Sequence, residues 1–294
     1  MCISNHRAIG RRVSGRIIKG FMMLMLPVTL LSACNGMFFY PMQTLVRTPA
    51  QLGLAYEEIN FPSLDGTQLN GWLLRAKGEA KATVVFFHGN AENISTHIGA
   101  VYWLPAAGYN VFLFDYRGYG LSQGKAELHG VHLDARAALQ YIRERPDIDP
   151  SRLIVFGQSL GGAIALYTAA TEDIPLRAVV VESAFARYRG IFREKLGGFF
   201  LTWPLQWPLS LGVSDQYSPQ AVVGQLKAPL LIIHGDADPI IPIRHAYDLY
   251  EQAGKDKELW VVEGGGHTAA FGPFREVYRP KLLEYLRQRL QDTP

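Results

Sequence analysis

Cysteine is nearly absent from this chain: two in 294 residues, at positions 2 and 34. That rules out a disulfide scaffold, so the fold must be held by burial alone. Residues 1–33 contain no Asp or Glu, yet they carry Arg7, Arg11, Arg12, Arg16 and Lys19. The apolar stretch from Phe21 to Leu31 is shorter than the roughly 20 residues that cross a bilayer as a helix. There is no H-E-x-x-H, the histidines and cysteines lack metal-ligand spacing, and no glycine loop precedes a Lys-Ser/Thr pair. These absences leave no metal site, no phosphate cradle and no cofactor in view. No internal repeat or low-complexity tract appears. At 48% hydrophobic and 19% charged residues the chain is globular.

A basic leader, an apolar run and then small residues before a break describe a secretion signal. Leu31-Ser32-Ala33-Cys34 resembles the lipobox of bacterial lipoproteins. The resemblance implies cleavage after residue 33, acylation of Cys34, and a protein held in the bacterial cell envelope, lipid-anchored to a membrane and facing the periplasm. An uncleaved anchor or a plain secretory signal would be the simpler alternatives. Without residues 1–33 the net charge falls from +3 to −2, which removes the electrostatic case for a nucleic-acid partner. Residues 34–54, with Phe38-Phe39-Tyr40-Pro41, read as an aromatic tether lying against the membrane, and residues 55–294 as one folded domain.

Apolar runs without polar alternation, such as Ala82–Phe87, Tyr109–Phe114, Leu153–Phe156, Leu176–Val181 and Pro229–Ile233, read as strands buried on both faces. Tyr56–Phe61 and Gln68–Arg75 read as a hairpin turning at Asp65-Gly66. Helices are expected over 93–106, 128–145, 163–170, 243–252 and 274–290. Strand–helix alternation of this kind gives an α/β fold with a mostly parallel twisted sheet and helices on both faces. Residues 185–217 break the rhythm with scattered aromatics among Gly and Pro, and read as a short cap.

The chain is organised around Gly157-Gln158-Ser159-Leu160-Gly161, which joins a buried strand to a small-residue helix. G-x-S-x-G in that setting is a nucleophile elbow: the sharp turn lifts Ser159 Oγ clear of the sheet. By itself the pattern is weak, since an ordinary serine in a glycine-rich turn fits it as well. A serine nucleophile needs a base, and the base needs an orienting acid. His267 follows the strand ending at Val262. Asp236 and Asp238 follow the strand ending at Ile233, and Glu182 follows a third. Each of these carboxylates is a possible orienter. His88 reads as a structural donor in its turn, and Asp115 and Arg117 as braces of the loop ends. His97, His129, His132 and His245 read as surface or packing residues.

The order Ser159, acid, His267 resembles that of α/β-hydrolases, and the likeness runs from about residue 55 to the end. HGN at 88–90, DYRGYG at 115–120 and GQSLGG at 157–162 resemble membrane-anchored bacterial members of that superfamily, and more distantly the eukaryotic hydrolase-domain proteins that remove palmitate from proteins. The resemblance implies the α/β-hydrolase fold and places the acid in a G-x-x-D loop, hence at Asp238. It also implies an oxyanion hole from the backbone N–H groups of Asn90 and Leu160. The expected function is a serine hydrolase acting on an ester or thioester of a small or acylated substrate. An aminopeptidase-type amide hydrolase and a catalytically silent scaffold are the rivals. A dehalogenase is excluded, because the nucleophile position holds Ser rather than Asp.

Overall fold

Strands that are apolar from end to end have no face to offer water, and they take the middle of the sheet. The computed structural model describes residues 38–198 and 200–291. Its eight-stranded sheet comprises β1 (Tyr56–Pro62), β2 (Gln68–Leu74), β3 (Ala82–Phe87), β4 (Tyr109–Phe114), β5 (Leu153–Gln158), β6 (Ala178–Glu182), β7 (Leu230–Gly235) and β8 (Lys257–Val262). They are ordered β1-β2-β4-β3-β5-β6-β7-β8. Every residue of β3 to β7 is buried. The β1–β2 and β2–β4 pairs are antiparallel and the rest are parallel. Strand order reverses between β3 and β5, so their carboxyl ends flank the crevice where open α/β sheets bind ligands.

Two apolar layers cover the sheet. On one face lie α1 (Leu128–Glu144), α2 (Leu160–Thr171), the cap helix α3 (Tyr188–Gly197) and, after the short cap helix α4 (Gln206–Ser210), α5 (Arg244–Gln252). The other face is covered by residues 94–104 and by α6 (Arg275–Gln291). The helix expected over 93–106 is instead one α-turn, Ile94–His97, and two 3₁₀ turns, Ile98–Ala100 and Pro105–Ala107. Pro105 lacks the N–H an α-helix would use there, and Gly99 weakens the preceding turn. Ile94, Ile98, Val101 and Leu104 still reach the core.

The expected leader and Cys34 lie outside the described residues. The part of the tether that is described does not stand off from the fold. Phe39 is buried, and Tyr40–Pro41 pairs in parallel with Ala91–Glu92 just past β3. Among the described residues no helix is long and apolar enough to cross a membrane.

A buried ion pair ties the hairpin to the loop after β4. Asp134, on α1, accepts from Arg117 N at 2.8 Å, from Arg117 Nη2 at 2.8 Å and from Ser63 Oγ at 2.6 Å. Arg117 Nη1 also donates to Asp65 at 2.8 Å, in the hairpin turn. Removing one member of a buried pair leaves the other charge uncompensated, at about 3–5 kcal/mol. Asp134→Ala leaves Arg117 only Asp65 and the more distant Glu127. It is expected to lower the unfolding free energy by up to about 3 kcal/mol, read by circular dichroism as a lower urea midpoint with an unchanged m-value.

Candidate active site

Ser159 stands between β5 and α2 with φ 55° and ψ −122°, a conformation that L-residues reach only under strain. The elbow closes because nothing protrudes at positions 157 and 161. A Cβ on Gly161 would sit 2.2 Å from the carbonyl oxygens of both Phe87 and His88, and one on Gly157 would sit 2.5 Å from Gly161 O. Ser159 N donates to Glu182 O at 2.9 Å, which fixes the strained residue to the end of β6.

The loops after β7 and β8 bring the other two groups in. His267 Nε2 lies 3.0 Å from Ser159 Oγ, across 108 residues of sequence, and its Nδ1 lies 2.8 Å from Asp238 Oδ2. In the tautomer this geometry favours, Nδ1–H donates to the carboxylate and Nε2 accepts from the hydroxyl. Asp238 is held in turn: its Oδ1 accepts from Ile240 N at 2.8 Å and Ile241 N at 2.9 Å. Burial works against its charge, but the hydrogen bond from His267 and those two N–H groups hold the carboxyl at about 2.

The competing carboxylates have other partners. Asp236 Oδ1 accepts from Gly264 N at 2.8 Å and so shapes the turn ahead of His267. Glu182 is fully buried: it accepts from Ala270 N at 2.8 Å and from the Gln158 amide, which pins the segment after His267. Thr268 N donates to Ser183 Oγ at 3.1 Å and reinforces that hold.

His88 braces its turn. Its Nδ1 lies 2.7 Å from Gly89 O, and its ring packs on Tyr116 at 4.5 Å. Its Nε2 faces Asp115 at 3.4 Å, yet the pair is not ionic: burial drives the imidazole well below its usual range and the carboxyl up to about 8. Asp115 and Arg117 brace loops, as expected. All four histidines read as surface or packing residues have partners: His97 Nε2 lies 2.8 Å from Ala91 O, His129 meets the Tyr217 hydroxyl, His132 stacks on the Tyr217 ring at 4.3 Å, and His245 faces Glu194 at 3.0 Å.

Ser159 and His267 open onto a cavity of about 550 Å³. Phe38, Tyr40, Phe185, Phe192, Leu196 and Ile240 give it an apolar wall, and Gly89, Asn90 and Leu160 lie beside the serine. Asn90 Oδ1 accepts from Tyr40 N at 3.0 Å and from Tyr119 OH at 3.1 Å, so the loop after β3 is clamped from two sides. Leu160 opens α2 and carries one of the helix N–H groups with no acceptor inside the helix. Phe38, Tyr40, His97 and Lys195 all line the cavity, although the first two were expected in a tether, His97 as a surface or packing residue, and Lys195 was not named. The Phe-Phe-Tyr-Pro run was the available signal for the first two. A larger hollow of about 700 Å³, lined by Ser151, Ala169, Leu176 and Lys227, lies toward the amino ends of β5 and β6, away from the serine. Among the described residues no group of His, Cys, Asp and Glu could hold a metal ion.

Residues 78–211 and 216–273 match the Hydrolase_4 family, described as serine aminopeptidase, S33. The chain belongs to that family and is an α/β-hydrolase. It is 36% identical over 243 residues to the protein YfhR of Escherichia coli strain K12, covering 80% of this chain and 81% of that one. It is 32% identical over 263 residues to the alpha/beta hydrolase domain-containing protein WAV2 of Arabidopsis thaliana, covering 84% and 85%. Its fold matches the Pyrococcus furiosus esterase Pf2001 with a TM-score of 0.72 at 22% identity, over 85% of this chain and 98% of that one. The acylaminoacyl peptidase of Pyrococcus horikoshii matches with a TM-score of 0.65 at 20% identity, over 82% of this chain and 42% of that one.

Burial raises Glu182 from its ordinary 4.5 to about 7. An acid raised in the fold contributes stability that is complete below its unfolded value and is lost as pH rises through its folded value. Wild type should thus lose stability between about pH 4.5 and 7 relative to Glu182→Gln. Urea midpoints of both proteins across that range test this; parallel pH profiles would contradict it.

Proposed function

We propose that the protein is a serine hydrolase that cleaves carboxylic esters or thioesters through an acyl-enzyme on Ser159. The observation that carries this reading is the single imidazole of His267, set between the Ser159 hydroxyl at 3.0 Å and the Asp238 carboxylate at 2.8 Å. His267 Nε2 takes the hydroxyl proton as Oγ attacks the carbonyl carbon, and Asp238 stabilises the imidazolium that forms. The N–H groups of Asn90 and Leu160 bind the oxyanion, an interaction worth about 2.7–4 kcal/mol per donor in comparable sites. As the intermediate collapses, the C–O or C–S bond breaks and the imidazolium returns its proton to the leaving alkoxide or thiolate. Water activated by His267 then splits the acyl-enzyme, releasing the acid and restoring the serine.

The family description favours a second reading, cleavage of a peptide next to a free amine. An aminopeptidase needs a carboxylate to hold that ammonium. The residues that line the cavity include Lys195 and no Asp or Glu, which favours an uncharged acyl group. Ser159→Ala and His267→Ala should each lower kcat on p-nitrophenyl esters by about 10⁶-fold. A fluorophosphonate should label wild type and not Ser159→Ala. Activity should rise with acyl length until the apolar wall is filled. Faster cleavage of aminoacyl anilides than of esters would decide for the second reading, and an unlabelled wild type would favour a silent scaffold.

We further propose that Cys34 is lipid-modified and holds the protein to a membrane of the bacterial cell envelope, on the periplasmic side. Its support is the Leu-Ser-Ala-Cys sequence behind a basic and apolar leader. Cys34→Ala should lose the acyl label and either keep its leader or leave the membrane fraction. Unchanged acylation and fractionation would refute the anchor.

A further inference from the structure

Past α3 the cap turns its apolar residues outward. Leu201, Trp203, Trp207 and Leu211 are 62%, 61%, 63% and 67% exposed, and Leu205 and Leu209 between them are exposed as well. A cap serving only to close the cavity would bury such side chains, as it does Phe185, Tyr188 and Phe192. Six large apolar residues exposed within eleven positions form the kind of patch that marks an interaction surface.

Three further observations fix the occupant. No carboxylate occurs between Glu194 and Asp215, whereas Arg193 and Lys195 adjoin the ridge. Arg193 lies 4.1 Å over the Trp207 ring and donates from Nε to Ser210 Oγ at 2.8 Å, which seats α4 against α3. Glu194, between Arg193 and Lys195, is engaged by Arg244 and His245. A surface of tryptophan and leucine beside the basic Arg193 and Lys195 suits the anionic headgroup boundary of a bilayer. The ridge also continues the rim of the cavity, because α3 supplies Ile191, Phe192, Lys195 and Leu196 to the wall. The same rim carries Phe38 and Tyr40, and Phe38 is four residues from Cys34. Four residues span at most about 14 Å, so an acylated Cys34 keeps the cavity mouth close to the lipid.

We propose that residues 201–211 seat in the headgroup–acyl boundary of the membrane that holds Cys34, with the cavity mouth toward the bilayer. The acyl group enters from the lipid, and the substrate class is an acylated molecule resident in the membrane. This inference rests on the lipid anchor and the hydrolase reading above. The ridge would lie roughly 5–10 Å into the boundary, within reach of brominated acyl chains.

The test uses the full acylated chain, reconstituted into phosphatidylcholine/phosphatidylglycerol vesicles with and without brominated acyl chains. Tryptophan emission of wild type should fall with bromine, and that of Trp203→Phe/Trp207→Phe should fall far less. Trp203→Ser/Trp207→Ser should keep its activity on a soluble short-chain ester and lose it on a long-chain ester carried in the vesicles. Protein that floats with the vesicles while its emission ignores bromine overturns the docking and leaves the anchor standing. If the serine double variant cleaves the vesicle-borne ester like wild type, entry from the lipid is overturned. A second copy covering the ridge would appear as a dimer in sedimentation with emission insensitive to bromine, and would also overturn it. Failure to float overturns the anchor and the docking together, while loss of soluble-ester activity in Ser159→Ala tests the hydrolase reading separately.

Discussion

The molecule depends on one close approach. The start of α2 lies against the end of β3 so tightly that position 161 has no room for a single carbon beside the carbonyls of Phe87 and His88. That contact permits the sharp reversal at Ser159, and the reversal places Oγ in the crevice where strand order switches. The loop of Gly89 and Asn90 is brought beside the serine by the same approach. Strain of about 1–3 kcal/mol at such a residue persists only where its surroundings over-determine it. Here they do: β5 is buried on both faces, and Ser159 N is tied to Glu182 O on the neighbouring strand.

Around that point, charge is managed by exclusion. Asp238 is kept ionised by three donors, while Asp115 and Glu182 are buried with too few donors to hold a charge and are pushed upward. His88 and His132 are driven low by burial. Asp238 is therefore the ionised carboxylate in contact with His267, while Asp115, at about 8, and Glu182, at about 7, hold their protons to much higher pH. The contact at 2.8 Å gives a positive charge on His267 its nearest counter-charge at Asp238.

Much of this was legible in the sequence. Runs such as Ala82–Phe87 and Tyr109–Phe114 have no polar alternation, and both strands have those bounds. Ser159, Asp238 and His267 could be picked out because each follows a strand, and strand ends on one edge of a parallel sheet converge. Choosing Asp238 over Asp236 needed either the family resemblance or the coordinates, since two aspartates one residue apart look alike until Gly264 N is seen on one and His267 on the other. The broken helix at 94–107 was misread because its apolar spacing is helical, and spacing does not register a missing N–H at Pro105. Tyr40 was missed for another reason. Its partners, Asn90 and Ala91, lie fifty residues away, and no local pattern reports a two-residue strand pairing.

That small pairing makes the amino-terminal strap a structural member of the cavity wall. Force applied along the strap would be delivered to Asn90 through the Tyr40 N–H and to Ala91–Glu92 through the backbone pairing. Tension in the strap is thus a mechanical variable of the site, and a shortened protein beginning after Pro41 would lack one side of its own cavity.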